Sequence, residues 1–217
     1  MDVRATTARR AAALTATLAL AAVPATAATA AENAPAATAT TARDASAPDS
    51  FALGVDYGTW KRDVAAVVAE ARPWIESRSA EAGTERQAIV LDIDNTALET
   101  QFHPVWKQPT PAVAAVRDLV RYADSRGVDV FFVTARPGIV EDLTEWNLKK
   151  AGYPVDGLYL SGLLDLFAVT EYKTEKRAQI EAKGYTIIAN IGNTPGDLAG
   201  GHAERAFKLP DYNGRLL

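Results

Sequence analysis

Short apolar runs alternate along this chain with longer stretches whose apolar residues recur at helical spacing. Trp60, Val64, Val67, Val68 and Ala71 predict a helix from Tyr57 to about Ala82, kinked or split at Pro73. Gln87 to Asp92 has no helical period and reads as a strand buried on both faces. Thr110-Pro111 reads as an N-cap followed by a first-turn proline. The helix it opens has Val113, Val116, Val120 and Ala123 as its buried stripe and stops at Gly127. Val128 to Val133 is a second apolar strand, and a further helix spans about Val140 to Ala151. Leu158 to Leu160 predicts a short strand, Lys173 to Lys183 a helix closed by Gly184, Tyr185 to Ile191 a strand, and Ala206 to Leu209 an edge strand.

Apolar strands alternating with helices predict an α/β fold: a three-layer, Rossmann-like parallel sheet with helices on both faces. The stretch between Thr96 and Thr110 is short, so little or no cap domain is expected. Ligands of such a sheet bind beyond the carboxyl ends of the strands. Residues there are therefore the candidates for chemistry: Asp92, Asp94 and Thr96 after the first strand; Thr134, Ala135 and Arg136 after the second. Lys173 and Arg177 open the helix before the next main strand, which is followed by Gly192, Asn193, Thr194 and Asp197.

These side chains suit one kind of reaction. One carboxylate of Asp92 and Asp94 can act as a nucleophile and the other as acid and base. Their repulsion is costly without a cation, and Mg²⁺ takes hard oxygen ligands, waters and phosphate oxygens. A hydroxyl at Thr134 and an ammonium at Lys173 can hold and neutralise phosphoryl oxygens. Taken singly, each residue has a plainer reading. An Asp-x-Asp pair is often a solvated turn or a glycosyltransferase metal motif. Thr134 alone would be a strand-end hydroxyl, and Lys173 a solvated charge with Lys176 as its rival. Arg136 reads as a cap or ion pair, Arg177 as a structural ion pair, and His202 as a surface residue. His103 reads as part of a packing cluster with Phe102 and Trp106 that could also touch a leaving group. Trp60, Trp74 and Trp146 are expected to pack in the core or at its boundary.

Composition narrows the picture. The chain has 217 residues, a soft prior for one domain, with 48% hydrophobic and 23% charged residues. A net charge of −4 without a long basic run argues against nucleic-acid binding. No cysteine is present, which excludes disulfides, thiolate metal sites and a thiol nucleophile. Arg4, Arg9 and Arg10 precede an apolar run from Ala11 to Val23 and two small-residue sites, Ala25-Thr26-Ala27 and Ala28-Thr29-Ala30. This predicts a secretory signal peptide over residues 1–30, with Sec and twin-arginine export both open. Residues 31–50 read as an Ala/Thr/Pro linker, residues 51–217 as the folded domain, and the mature protein as extracytoplasmic and free of the membrane.

With these residues laid out, the chain resembles the haloacid dehalogenase-like acid phosphatases, the branch of plant vegetative storage proteins and bacterial secreted or surface acid phosphatases. The resemblance rests on Asp92-Ile93-Asp94-Asn95-Thr96 for D-x-D-x-T, Thr134 in "FFVTARP", Lys173 in "YKTEKR", and "GNTPGDL" for an acidic loop of form G-D-x-x-x-D. The "AFKLPDY" tail adds to it. The resemblance implies a secreted, Mg²⁺-dependent phosphomonoesterase acting on a small phosphorylated substrate. Asp92 would attack phosphorus and form an aspartyl-phosphate. Asp94 would protonate the leaving alcohol and then activate water. Thr134 and Lys173 would hold the phosphoryl oxygens. Mg²⁺ would be held by Asp92, the backbone carbonyl of Asp94, and the fourth loop at Asn193 and Asp197. Asn193 departs from the pattern, which has an acid there. A non-catalytic binding or storage protein on the same scaffold is the alternative. A phospho-accepting receiver domain is a third reading, weakened by the adjacent acids and the export signal. Oligomeric state and leaving group are not legible.

Overall fold

The computed structural model describes residues 54–162 and 165–217. The expected signal peptide and linker, residues 1–50, lie outside the described residues. Five strands form one sheet: β1 (Arg86–Leu91), β2 (Asp129–Pro137), β3 (Gly157–Ser161), β4 (Tyr185–Gly192) and β5 (Ala206–Lys208). Their order is β3-β2-β1-β4-β5, and every pairing is parallel. Around them run α1 (Tyr57–Ser79), α2 (Ala114–Ser125), α3 (Glu141–Lys150), α4 (Val169–Ala182) and the single turn α5 (Pro195–Leu198). This is the expected α/β architecture, with β5 at the edge. No domain is inserted between β1 and α2 among the described residues; that loop holds a 3₁₀ turn at Thr100–Phe102 and isolated bridges from Leu98 to Asp94 and Ala112.

The central strand shows why the apolar runs become strands. Ile89 and Leu91 face a large core with Trp60, Val64 and Ile75 of α1 and Val116, Leu119 and Val120 of α2. Ala88 and Val90 point the other way, into a smaller core with Phe131, Val133, Ile187 and, from α4, Tyr172 and Ile180. A strand wetted on neither face has no need of polar alternation. Each fully buried side chain of this size contributes roughly 1.5–3 kcal/mol.

Four local expectations change. α1 runs unbroken for 23 residues through Pro73. Burial of Ala71 and Ile75, and a Trp74 Nε1 bond to the Ile188 carbonyl at 2.8 Å, hold both sides of the proline in place. Thr110 is not an N-cap: α2 starts at Ala114 after Val113, with no side-chain cap. Instead the Thr110 backbone N–H and carbonyl are both bonded by the Asn147 amide, at 2.9 Å each. Residues 110–113 are thereby kept extended, with the Val113 N–H on the Ala97 carbonyl. α4 begins at Val169, one turn before Lys173, so the lysine stands inside the helix and not at its start. Trp146 is also 41% exposed, because α3 buries Thr144, Asn147 and Leu148 instead.

The chain passes from β1 outward through β2 to β3, then returns to β4 on the opposite side of β1. The strand order reverses between β1 and β4, and the crevice beyond their carboxyl ends is where such sheets bind ligands.

Candidate active site

Asp92 leaves β1 at that crevice. Its backbone N–H donates to the Ile191 carbonyl at 3.0 Å, which carries the β1–β4 pairing one step past the strand. The chain then folds into a tight turn: the N–H groups of Ala97 and Leu98 both reach the Ile93 carbonyl at 2.9 Å. Asn95 sits at φ 54°, a conformation that asparagine tolerates better than most residues. The turn sends Asp92 and Asp94 to different neighbours.

Asp92 is buried and accepts a hydrogen bond from Lys173 Nζ at 2.6 Å. The same ammonium donates to Asp197 Oδ1 at 2.5 Å. The other oxygen of Asp197 takes the Thr194 backbone N–H at 2.7 Å, in a capping box that opens α5. Gly192 makes this possible, since a Cβ there would lie 2.3 Å from the Asp197 Cβ. Burial pushes the Asp92 carboxyl up to about 7; Lys173 pulls against this, while Asp197 and Asp94 add to it. Burial would lower the Lys173 pKa, but the charges of Asp92 and Asp197 outweigh it and hold the ammonium above its ordinary value.

Asp94 meets a different cation. Arg136 Nε donates to its Oδ2 at 3.0 Å, and the guanidinium Nη2 to its Oδ1 at 2.8 Å. Burial alone would raise the Asp94 pKa, but this bidentate pair wins and holds it below the ordinary value. Thr134 is fully buried, and its Oγ1 accepts the Arg136 N–H at 3.2 Å. Asn193 is buried as well: its Oδ1 accepts from Thr96 Oγ1 at 3.1 Å and its Nδ2 donates to the Leu216 carbonyl at 3.0 Å.

Asp92, Asp94, Lys173, Asn193 and Asp197 line one cavity of about 360 Å³, to which Ala135, Val169, Thr194 and Leu217 also contribute. Five of the six expected site residues therefore meet; Thr134 stays beneath, and Ala135 takes its place on the wall. Lys176, the rival of Lys173, bonds Gln179 instead. A second cavity of about 340 Å³ shares Asp94 and is lined by Arg136, His103, Thr100, Val105 and Leu143, among others.

Some residues take roles that the sequence does not suggest. Arg177 forms no ion pair among the described residues: its buried guanidinium donates to the backbone carbonyls of Asp197, Ala199 and Gly201 and fixes the loop after β4. Arg136 forms an ion pair, as expected, and its partner is Asp94, a choice that the β1–β2 register explains. Leu91 pairs with Phe132, so Asp94 and Arg136 leave neighbouring strands at almost the same height. His103 and Phe102 are buried against Tyr57 and Trp60, whereas Trp106 is 76% exposed and outside that cluster. His202 lies at the surface beside Glu181, as expected.

A metal's ligands can be tested against this set. Among the described residues, no group of three His, Cys, Asp or Glu side chains is already gathered to hold an ion. Mg²⁺, however, is commonly bound through one or two carboxylates, with waters and substrate phosphate completing the shell. Asp92, Asp94, Asn193 and Asp197 bring oxygens to one cavity, and burial with the neighbouring Asp197 and Asp94 raises the Asp92 carboxyl against the pull of Lys173, a cost that a cation would relieve. The donor set fits a hard divalent cation.

The fold and the site point to the same class. Residues 101–215, more than half of the chain, match the HAD superfamily, subfamily IIIB (acid phosphatase). The chain belongs to this family. The matched span contains Thr134, Lys173, Asn193 and Asp197 and starts after Asp92 and Asp94. A stem 28 kDa glycoprotein of Glycine max is 38% identical over 92 residues, 40% of this chain and 36% of that protein. Acid phosphatase 1 of Solanum lycopersicum is 33% identical over 104 residues, 46% of this chain and 41% of that protein. The chain thus spans well under half the length of these relatives. Among solved structures, a class C acid phosphatase from Bacillus anthracis matches with a TM-score of 0.57 and 19% identity, covering 72% of this chain and 80% of that one. It shares the fold.

Proposed function

We propose that this chain is an exported, Mg²⁺-dependent phosphomonoesterase that works through an aspartyl-phosphate. The carrying observation is the pair Asp92 and Asp94 at the β1–β4 switch point, two residues apart yet held by separate cations. Asp92 attacks phosphorus, and the ester P–O bond breaks. Asp94 gives its proton to the departing alkoxide. Asp94, now a carboxylate, then takes a proton from water, whose oxygen attacks the phosphoryl group and frees Asp92 with inorganic phosphate. Lys173 neutralises phosphoryl charge beside Asp92. Mg²⁺ bound by Asp92, Asp197, Asn193 and the Asp94 carbonyl would supply the charge that keeps Asp92 ionised and binds the incoming phosphate.

Asp94 must hold a proton when the ester bond breaks, yet Arg136 favours its carboxylate. An entering phosphate dianion competes for that guanidinium. Once the grip loosens, burial dominates and raises the Asp94 pKa towards that of a working acid. Arg136 is thus the resting partner of the acid.

The test is hydrolysis of 4-nitrophenyl phosphate by purified protein, with and without Mg²⁺, beside Asp92→Asn. Mg²⁺-stimulated turnover lost in the variant supports the reading; wild-type protein inert at every metal concentration overturns it. That second result would favour a non-catalytic binding protein on this scaffold, a reading that Asn193 supports. Its amide is neutral where an acid is usual, and it is already bonded to Thr96 and Leu216. Export is supported by the arginines, apolar run and small-residue sites of residues 1–30. Exported protein should begin between Ala28 and Ala31, and N-terminal sequencing that finds Met1 on it would refute this.

A further inference from the structure

Asp92 and Lys173 line the first cavity and not the second, whereas Asp94 lines both. In phosphoryl transfer the attacking and leaving oxygens stand roughly in line with phosphorus, so the alcohol departs on the side away from Asp92. Asp94 gives that alcohol its proton in the mechanism above. The carbon atoms of the alcohol therefore lie on the Asp94 side, where the second cavity opens. Val105, Val140 and Leu143 stand in its wall. The polar members of that wall are largely engaged within the protein: Asp94, Thr100 and Thr144 with Arg136, and the Gln108 amide nitrogen with the Val105 carbonyl. What remains for a ligand is mainly hydrocarbon. The distribution of exposed apolar residues points the same way. Among the described residues, six of the seven exposed large apolar side chains, Val105, Trp106, Ile139, Leu143, Trp146 and Phe167, follow the carboxyl ends of β1, β2 and β3. The seventh, Leu217, lines the first cavity. Apolar side chains exposed around one rim, and not singly over the surface, mark a place where something apolar binds.

We propose that the second cavity holds the alcohol part of the substrate and that the chain prefers phosphate esters of apolar alcohols. The inference rests on the phosphomonoesterase reading. A volume of about 340 Å³ admits an alkyl chain or an aromatic ring. A methylene taken fully out of water is worth about fourfold in binding, and a half-buried one about twofold. Sugar and polyol esters would lose water from their hydroxyls against the same wall and gain few hydrogen bonds in return.

The test uses ethyl, butyl and hexyl phosphate, whose alcohols are alike in acidity, so the bond that breaks is the same throughout. The readout is the ratio of kcat/KM for the hexyl ester to that for the ethyl ester, with thermal melts and sedimentation to establish fold and oligomeric state. Wild type should give a ratio of roughly ten, reached through KM, with the butyl ester between. Val105→Ser combined with Leu143→Ser strips the wall at two exposed positions and should bring the ratio to about two. Leu217→Ser strips the first cavity instead and should keep the wild-type ratio. A wild-type ratio near one overturns the inference and leaves the phosphatase reading standing. So does a ratio that survives the serine pair, or one that Leu217→Ser abolishes, since the alcohol then lies elsewhere. A dimer that the serine pair takes apart overturns it too, because a second copy would then cover the rim. Hydrolysis of 4-nitrophenyl phosphate but of none of the three alkyl esters overturns this inference alone. Folded wild type that hydrolyses none of the four overturns the phosphatase reading, and this inference with it.

Discussion

The two cavities that meet at Asp94 are nearly equal in volume and differ in how they hold charge. In one, buried carboxylates of Asp92 and Asp197 share a single buried ammonium, and every charge has a partner. In the other, Val105, Val140 and Leu143 share the wall with Thr100, Gln108, Thr110, Thr144 and the Asp94–Arg136 pair, and His103 has one ring nitrogen without a partner among the described residues. Buried charge is tolerated only when paired and hydrogen-bonded, so the first cavity is built to tight tolerance and accepts little change. The second makes its demand through shape and its apolar side chains. Changes in the first should therefore abolish turnover, and changes in the second should alter which esters are preferred.

The largest effect is expected from Asp92→Asn. An amide at the attacking position should lower kcat by about three powers of ten or more while melts and circular dichroism stay native. Retention of a tenth of wild-type rate would dissolve the distinction between the cavities, because the nucleophile would then lie elsewhere. Gly192→Ala comes next. Its Cβ would drive the Asp197 side chain out of place and with it Lys173. Overpacking of this kind costs about 1–3 kcal/mol, and the melting temperature should fall together with kcat. A variant as stable and active as wild type would show that Asp197 is not held where the structure has it.

Arg136→Met tests the boundary. Arg136 stabilises the ionised form of Asp94, and burial opposes it. Without the guanidinium the Asp94 pKa rises, protonated acid persists to higher pH, and the alkaline limb of kcat/KM should move up by about one unit. An unmoved limb would mean that Asp94 is not the acid. The smallest change is expected from Asn193→Asp. The added charge should lower the half-saturating Mg²⁺ concentration several-fold. It also sets a carboxylate against the Leu216 carbonyl in place of a donor, so stability should fall by roughly 1–3 kcal/mol. Weaker Mg²⁺ activation would show that position 193 serves only Thr96 and Leu216.

The reasons why some of this was readable in the sequence are particular. Continuous apolar runs such as Ala88–Leu91 can be satisfied only by burial on both faces, so the parallel sheet and the residues at its carboxyl ends followed from pattern alone. Only motif order prefers Lys173 to Lys176, since both sit in one charged stretch; its contact with Asp92 and Asp197 is a tertiary pairing with no local signal. Asn147 bonding the Thr110 backbone, and Glu99 orienting His103, are tertiary pairings of polar side chains with no periodic signal. Thr110 satisfied every local rule for a cap, yet the strand-like contact of Ala112 with Leu98 overrode it. Pro73 does not split α1 for the same reason: packing on both sides outweighs one missing backbone donor.

β1 owes one neighbour to sequence that comes much later. Arg86 pairs with Tyr185, whereas Ala88 pairs with Asp129 on the other side. As the chain emerges from the ribosome, β1 and β2 can zip together while the opposite edge of β1 stays bare. An open, apolar edge of this kind is a template for pairing with other chains. The strand that carries Asp92 therefore stays vulnerable to aggregation until β4 has been synthesised, and long-range closure of this type is slow. Nascent chains halted before Tyr185 should need a chaperone that shields strand edges, and those extended past Gly192 should not.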